Sequence, residues 1–191
     1  MRRLRWHGFK WRGIALLVLQ RTQSALALFE RMEREFPGDA HALASRAHLL
    51  AQAGRRAEAL QTMDDLLRAC PGEGRYWFNH GFLLEEDVQY ERAEAAFRRA
   101  TELAPQLDRA WYGLGLVLIR LRRFDEAVAA LKRNTQLQPM SPYGWYQLAR
   151  VHVDRQEPEE ARRIIRHLQR FEPKVAAQLE RETGLLVERA G

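Results

Sequence analysis

Apolar and small residues return along this chain at two spacings, one nested inside the other. In residues 108–141, Trp111, Leu114, Gly115 and Leu118 recur at three- and four-residue intervals, which marks one face of a helix. Ala127 and Leu131, four apart, predict a second helix facing the first, with small side chains allowing close backbone approach. Pro139 lacks an N–H and restricts the residue before it, so it ends the second helix and redirects the chain. The longer spacing is the repeat of this whole pattern. Pro37, Pro71, Pro105, Pro139 and Pro173 lie 34 residues apart, and so do Ala25, Ala59, Ala93, Ala127 and Ala161. One helix–turn–helix unit has been copied along the chain, giving units 6–39, 40–73, 74–107, 108–141 and 142–175.

The copies exchange residues conservatively. Unit 74–107 carries Trp77, Gly81, Leu84, Ala93, Phe97, Ala100 and Pro105, with His80 where a leucine is usual. Unit 142–175 carries Trp145, Leu148, Ala149, Ala161, Ile165 and Pro173, and unit 40–73 is looser, with Leu43, Ala47, Leu50, Gly54, Ala59, Met63 and Pro71. The residue pattern and its period of 34 resemble the tetratricopeptide repeat. The resemblance implies an all-α, right-handed α-solenoid occupying 1–191 as a single domain. It also implies a protein-binding scaffold rather than an enzyme, because a stacked-helix array presents a surface. It does not name the ligand, since one scaffold serves many partners.

The first unit has a second outline. Residues 1–12 are basic, 13–19 are apolar, and Ala25-Leu26-Ala27 mimics a cleavage site, as in a secretory signal. Phe9, Gly13, Leu16, Ala25, Phe29 and Pro37 nevertheless fall on the repeat grid, so this segment is expected to be the first repeat. Seven apolar residues are too few for the ~20 a membrane-spanning helix needs. After Pro173, Val175, Leu179, Leu185 and Leu186 alternate with charged residues, which predicts a capping helix over 174–190, weakened in its middle by Gly184.

Charge changes the picture only at the amino end. Residues 1–21 hold Arg2, Arg3, Arg5, Lys10, Arg12 and Arg21 and no acid. Subtracting these 6 from 31 leaves 25 basic against 25 acidic residues, so the net charge of +6 sits wholly in that segment. A neutral body disfavours nucleic acid along the array, although the basic end keeps a nucleic-acid binder among the alternatives. Arg2, Arg3, Arg5, Trp6 and Lys10 are candidate surface anchors for anionic lipid headgroups or an acidic protein face. Packing of Phe9 and Trp11 within the first repeat, with solvated arginines, is the plainer alternative. The expected location is cytoplasmic, with peripheral membrane contact on that face.

The resemblance implies that first helices line the concave side. Residues two, five, nine, twelve and thirteen of each unit form that stripe. Unit 40–73 then offers His41, Ala44, His48, Ala51 and Gln52, and unit 74–107 offers Arg75, Phe78, Phe82, Glu85 and Glu86. Further along come Arg109, Tyr112, Leu116, Ile119 and Arg120, then Tyr143, Tyr146, Arg150, Val153 and Asp154. The candidate partner-binding residues are Arg75, Phe78, Phe82, Arg109, Tyr112, Arg120, Tyr143, Tyr146 and Arg150. Aromatic residues and arginine are the usual energetic anchors of interfaces, and arginine grips carboxylates. Ring packing between first helices is an equal reading for Phe82, while Tyr112 and Tyr146 are expected to touch the ligand. The carboxylate clamp of heat-shock co-chaperones is matched only by Asn79 and Arg109, with Ala44, His48 and Gly113 in its other places.

Catalytic patterns are not evident, and neither cofactor, metal nor small-molecule substrate is expected. His41 and His48 share a face but lie about 10 Å apart along a helix, too far for one metal ion. His80 reads as a hydrogen-bonded core histidine, Glu85, Glu86 and Asp87 as a solvated acidic run, and Cys70 as a structural or incidental thiol. The expected function is a scaffold supporting assembly or localisation of a larger complex. A transient secretion or assembly chaperone is the alternative with the same fold.

Overall fold

The computed structural model describes residues 2–187. Among them are eleven α-helices, with no strand. They are α1 (Arg2–Val18), α2 (Thr22–Glu35), α3 (Ala40–Gln52), α4 (Arg56–Ala69), α5 (Gly74–Glu86), α6 (Tyr90–Leu103), α7 (Asp108–Arg120), α8 (Phe124–Leu137), α9 (Pro142–Asp154), α10 (Pro158–Gln169) and α11 (Pro173–Thr183). Successive helix pairs recur along the chain with the 34-residue period. Each helix packs on its chain neighbours, and α5–α7, α7–α9 and α9–α11 also touch side by side. No comparable contact joins one second helix to the next, so the first helices occupy the inner side of the solenoid.

The turn inside each unit has one backbone requirement. Gln20, Gly54, Val88, Arg122 and Gln156 are 34 residues apart and all left-handed, with φ of 53°, 74°, 61°, 58° and 61°. The N–H of the next residue closes back on the first helix, as in Arg55 to the Leu50 carbonyl and Gln89 to Leu84, both 2.9 Å. This is the Schellman geometry that glycine fits best, yet only the second unit uses glycine.

Aromatic and small residues set the helix spacing. Phe97 of α6 lies under both α5 and α7: a Cβ on Gly81 would come within 2.9 Å of its ring, and one on Gly113 within 2.6 Å. Phe29 does the same under Gly13, at 2.7 Å, and both phenylalanines are almost wholly buried. Three further contacts recur with the period. The indole N–H groups of Trp77, Trp111 and Trp145 donate to the carbonyls of Pro71, Pro105 and Pro139 at 2.8, 3.0 and 2.8 Å. Each pins the start of a first helix to the turn leaving the previous unit. Units 6–39 and 40–73 hold Phe9 and Leu43 at that position, which have no such donor.

Two expectations need correction. The capping helix ends at Thr183 rather than 190, because Gly184 is not a weak interior residue but its left-handed C-cap, with φ 70°. Residues 188–190 of the expected helix lie outside the described residues. His80 is buried as foreseen but not hydrogen-bonded, since neither ring nitrogen has a partner. Its Nε2 lies 3.3 Å from Asp64 Oδ1, close enough for attraction but not aligned for a hydrogen bond. Burial lowers its pKa below the usual histidine value, against the pull of Asp64.

Candidate partner-binding groove

The inner side is not uniformly filled. Close side-by-side packing of first helices runs from α5 onward. Helix α1 meets α3 through the rings of Trp6 and His41, 6.2 Å apart, and between α3 and α5 a hollow of about 300 Å³ remains. The cause is side-chain size: α3 turns Ala44 and Ala51 toward it, where later first helices carry Phe78, Tyr112 and Tyr146 in the place of Ala44 and Glu85, Ile119 and Val153 in the place of Ala51. Leu83 and Met63 add apolar lining, and His48, Gln52, Asn79 and Glu86 supply polar groups. Phe82 stands at the hollow with 47% of its surface exposed. Ala44, His48, Ala51, Gln52, Phe82 and Glu86 all occupy the stripe positions derived from the repeat. Ala47, Met63, Asn79 and Leu83 do not; Asn79 is one of the two clamp matches, and the lining role of the other three comes from packing. A recess of about 400 Å³ between α2 and α3 is mostly charged, with Arg46 paired to Glu33 at 3.0 Å, and lacks this apolar lining.

The remaining candidate residues fall into two sets. Phe78 is half-buried, its ring 6.0 Å from Phe97, with the Arg109 guanidinium 5.3 Å from its centre. Tyr112 is half-buried against the carboxy-terminal core, and that burial raises its phenol pKa, while a hydrogen bond with Gln147 opposes the shift. The Tyr146 hydroxyl donates to Glu182 of α11 at 2.5 Å and accepts from Arg150 at 3.3 Å. Arg150 also lies 3.8 Å from that carboxylate. The last first helix therefore meets a carboxylate of the chain itself, and the Tyr146 hydroxyl holds the Glu182 carboxyl below its ordinary pKa.

Tyr143 is 70% exposed, and Arg75, Arg109 and Arg120 are also exposed. Arg75 lies 3.8 Å from Glu73. Arg120 acts on Glu85, whose half-buried carboxyl is raised by desolvation and lowered by that charge. The inner face thus combines open rings at Phe82 and Tyr143, four arginines along its length and an apolar recess near its amino-terminal end.

The candidate anchors are divided as well. Arg3 is exposed, but Arg5 pairs with Glu35 at 2.8 Å. Trp6 turns inward, donating its indole N–H to Asp39 at 2.6 Å, and Lys10 lies 5.5 Å from its ring. The side chain of Arg2 lies outside the described residues. Phe9 is buried in the first repeat, whereas Trp11 is not. No helix among the described residues is long and apolar enough to cross a membrane.

Tetratricopeptide-repeat family models match residues 16–77, 83–142 and 117–175. The chain belongs to the tetratricopeptide-repeat family, whose members are generally non-catalytic interaction modules that bind protein partners or peptides. No curated protein matches the sequence. Among solved structures, a MamA RS-1 ArsTM double mutant is 20% identical, with a TM-score of 0.79 over 93% of this chain and 95% of that one. YrrB, described as a tetratricopeptide-repeat protein with an unusual peptide-binding site, is 19% identical, with a TM-score of 0.78 over 88% of each chain. Pseudomonas aeruginosa PilF is 20% identical, with a TM-score of 0.74 over 95% of this chain and 91% of that one. At these identities the likeness is one of fold.

Proposed function

We propose that the chain is a non-catalytic scaffold that seats a segment of a partner protein along its inner face, in the assembly or localisation of a larger complex. The observation that carries this reading is the exposed Phe82 ring beside an apolar recess with convergent polar groups. That is the composition of a site which buries an apolar side chain and fixes its orientation. Phe82 and the alanine wall of α3 hold the anchor, and Arg75, Arg109, Arg120 and Tyr143 extend the contact toward the carboxy-terminal repeats. The peptide-binding site ascribed to YrrB, on a similar fold, is consistent with it.

The test is quantitative co-purification from the native host with nuclease present and membrane and soluble fractions kept apart. Wild type is compared with Phe82→Ala and with Ala51→Trp, which fills the recess. The expected result is a partner recovered in stoichiometric amount with wild type and lost with both folded variants. Retention by both variants contradicts the recess as the site. Recovery of the wild-type protein alone contradicts the scaffold and favours the transient-chaperone alternative.

A further inference from the structure

Eleven large hydrophobic side chains are exposed among the described residues, and six of them lie between residues 4 and 19: Leu4, Trp11, Ile14, Leu17, Val18 and Leu19. Leu4, Trp11 and Val18 are spaced by seven and form one line along α1, with exposures of 77%, 67% and 77%. Ile14 and the exposed His7 lie beside that line, and Leu17 lies farther round, past Lys10. The opposite face holds Phe9, Gly13 and Leu16, which pack against the first repeat. Helix α1 is therefore apolar on two sides, one against the solenoid and one outward. The outward line runs over 14 residues, or about 21 Å at 1.5 Å per residue.

The charges around it select what covers it. Arg3 and Lys10 follow one margin of the line by helical position, Arg12 follows the other, and Arg21 stands just past its end. Neither Arg3, Arg12 nor Arg21 has an ion pair among the described residues, and residues 1–21 contain no acid. A second copy packed symmetrically on this face would place one cationic segment against another. A flat surface that is apolar at depth and anionic at its rim meets both demands. Apolar side chains enter the acyl boundary, Trp11 sits at headgroup level, and the arginines meet lipid phosphates.

We propose that the outward face of α1 is a docking surface for an anionic membrane, on which the helix lies in the plane without crossing. The surface is built on Leu4, Trp11, Ile14 and Val18 with Arg3 and Arg12, not on Trp6 and Arg5, which the fold engages elsewhere. It is independent of the inner groove.

Flotation of the full chain with vesicles tests it, using phosphatidylcholine alone or mixed with phosphatidylglycerol. Binding to the mixed vesicles is expected to exceed that to the neutral ones by about tenfold and to weaken as salt rises. The double variant Trp11→Ala/Val18→Ala and the double variant Arg3→Glu/Arg12→Glu are each expected to lose about tenfold in binding, with helicity unchanged. Equal binding to both vesicle types, or retention by both folded variants, overturns the proposal. So does lipid-free self-association of wild type that Trp11→Ala/Val18→Ala abolishes, which would assign the face to a second copy.

Discussion

Repeats three to five and repeats one and two are built on the same grid but closed differently. In the later three, a tryptophan at the fourth position ties each first helix to the proline carbonyl of the preceding turn, at 2.8–3.0 Å. First helices from α5 onward also touch one another. In the earlier two, Phe9 and Leu43 fill the same position by packing alone, and α3 and α5 leave the recess between them. Burial of an apolar side chain is sufficient to fold a repeat. A directional hydrogen bond adds a defined angle to the next one. The recess opens between α3 and α5 even though Trp77 makes that bond at the same junction, so the small inner side chains Ala44 and Ala51, and not a missing bond, leave the room. The region least tightened by repeat-to-repeat contact is the one with room for a ligand, and the amino end is the one with an uncovered apolar face.

Changes of decreasing size break or sharpen this contrast. Phe97→Ala removes the ring on which α5 and α7 both close and should cost ~3–5 kcal/mol of stability by chemical denaturation. The cost falls on the tight repeats, so hydrogen exchange should rise in α5–α7 more than in α2. Trp111→Leu makes the fourth repeat imitate the second, losing the bond to Pro105 and part of the buried ring. A loss of about 2 kcal/mol is expected, again read by denaturation.

The left-handed turns offer a reciprocal pair. Val88 is β-branched at φ 61°, so Val88→Gly should stabilise the third repeat by about 1 kcal/mol. Gly54 sits at φ 74° with open space around a would-be Cβ, so Gly54→Val should cost ~1–2 kcal/mol from the backbone alone. Equal and negligible effects on Tm would show that the turn does not limit either half.

The smallest effect expected is in the acid limb of the Tm profile. The pKa of His80 is lowered in the folded state by burial, so the unfolded chain takes up that proton first. Stability is then full above the unfolded value of 6.5 and declines as pH falls from there toward the lower folded value. His80→Leu should flatten that decline, leaving the part due to His41, whose pKa burial also lowers. An unchanged slope would mean that the ring reaches solvent.

The prolines, alanines and apolar faces carry the fold, so its all-helical repeat character was legible in the sequence. The turn conformation showed through one residue only, Gly54; the others in that place, such as Val88, give no local sign of a left-handed backbone. The tryptophan bonds had a visible signal, an indole six residues after each of three prolines, that helical periodicity alone does not interpret. For the groove, spacing proposes which side chains face inward, but does not say which of them stay open. That depends on neighbours distant in sequence: Phe78 meets Phe97, and Tyr146 meets Glu182 across 36 residues. At the amino end, the apolar run 13–19 faces both ways, which a one-sided pattern does not predict.

The central claim is that the partner lies on the inner face beside Phe82. Photo-crosslinking in the native host tests it directly, with benzoylphenylalanine introduced at position 82 or at the exposed Arg99 of α6. A specific protein adduct from position 82 and none from position 99 is the predicted result. Adducts from position 99 alone, with the protein folded in both cases, would move the binding surface to the second helices and contradict the account.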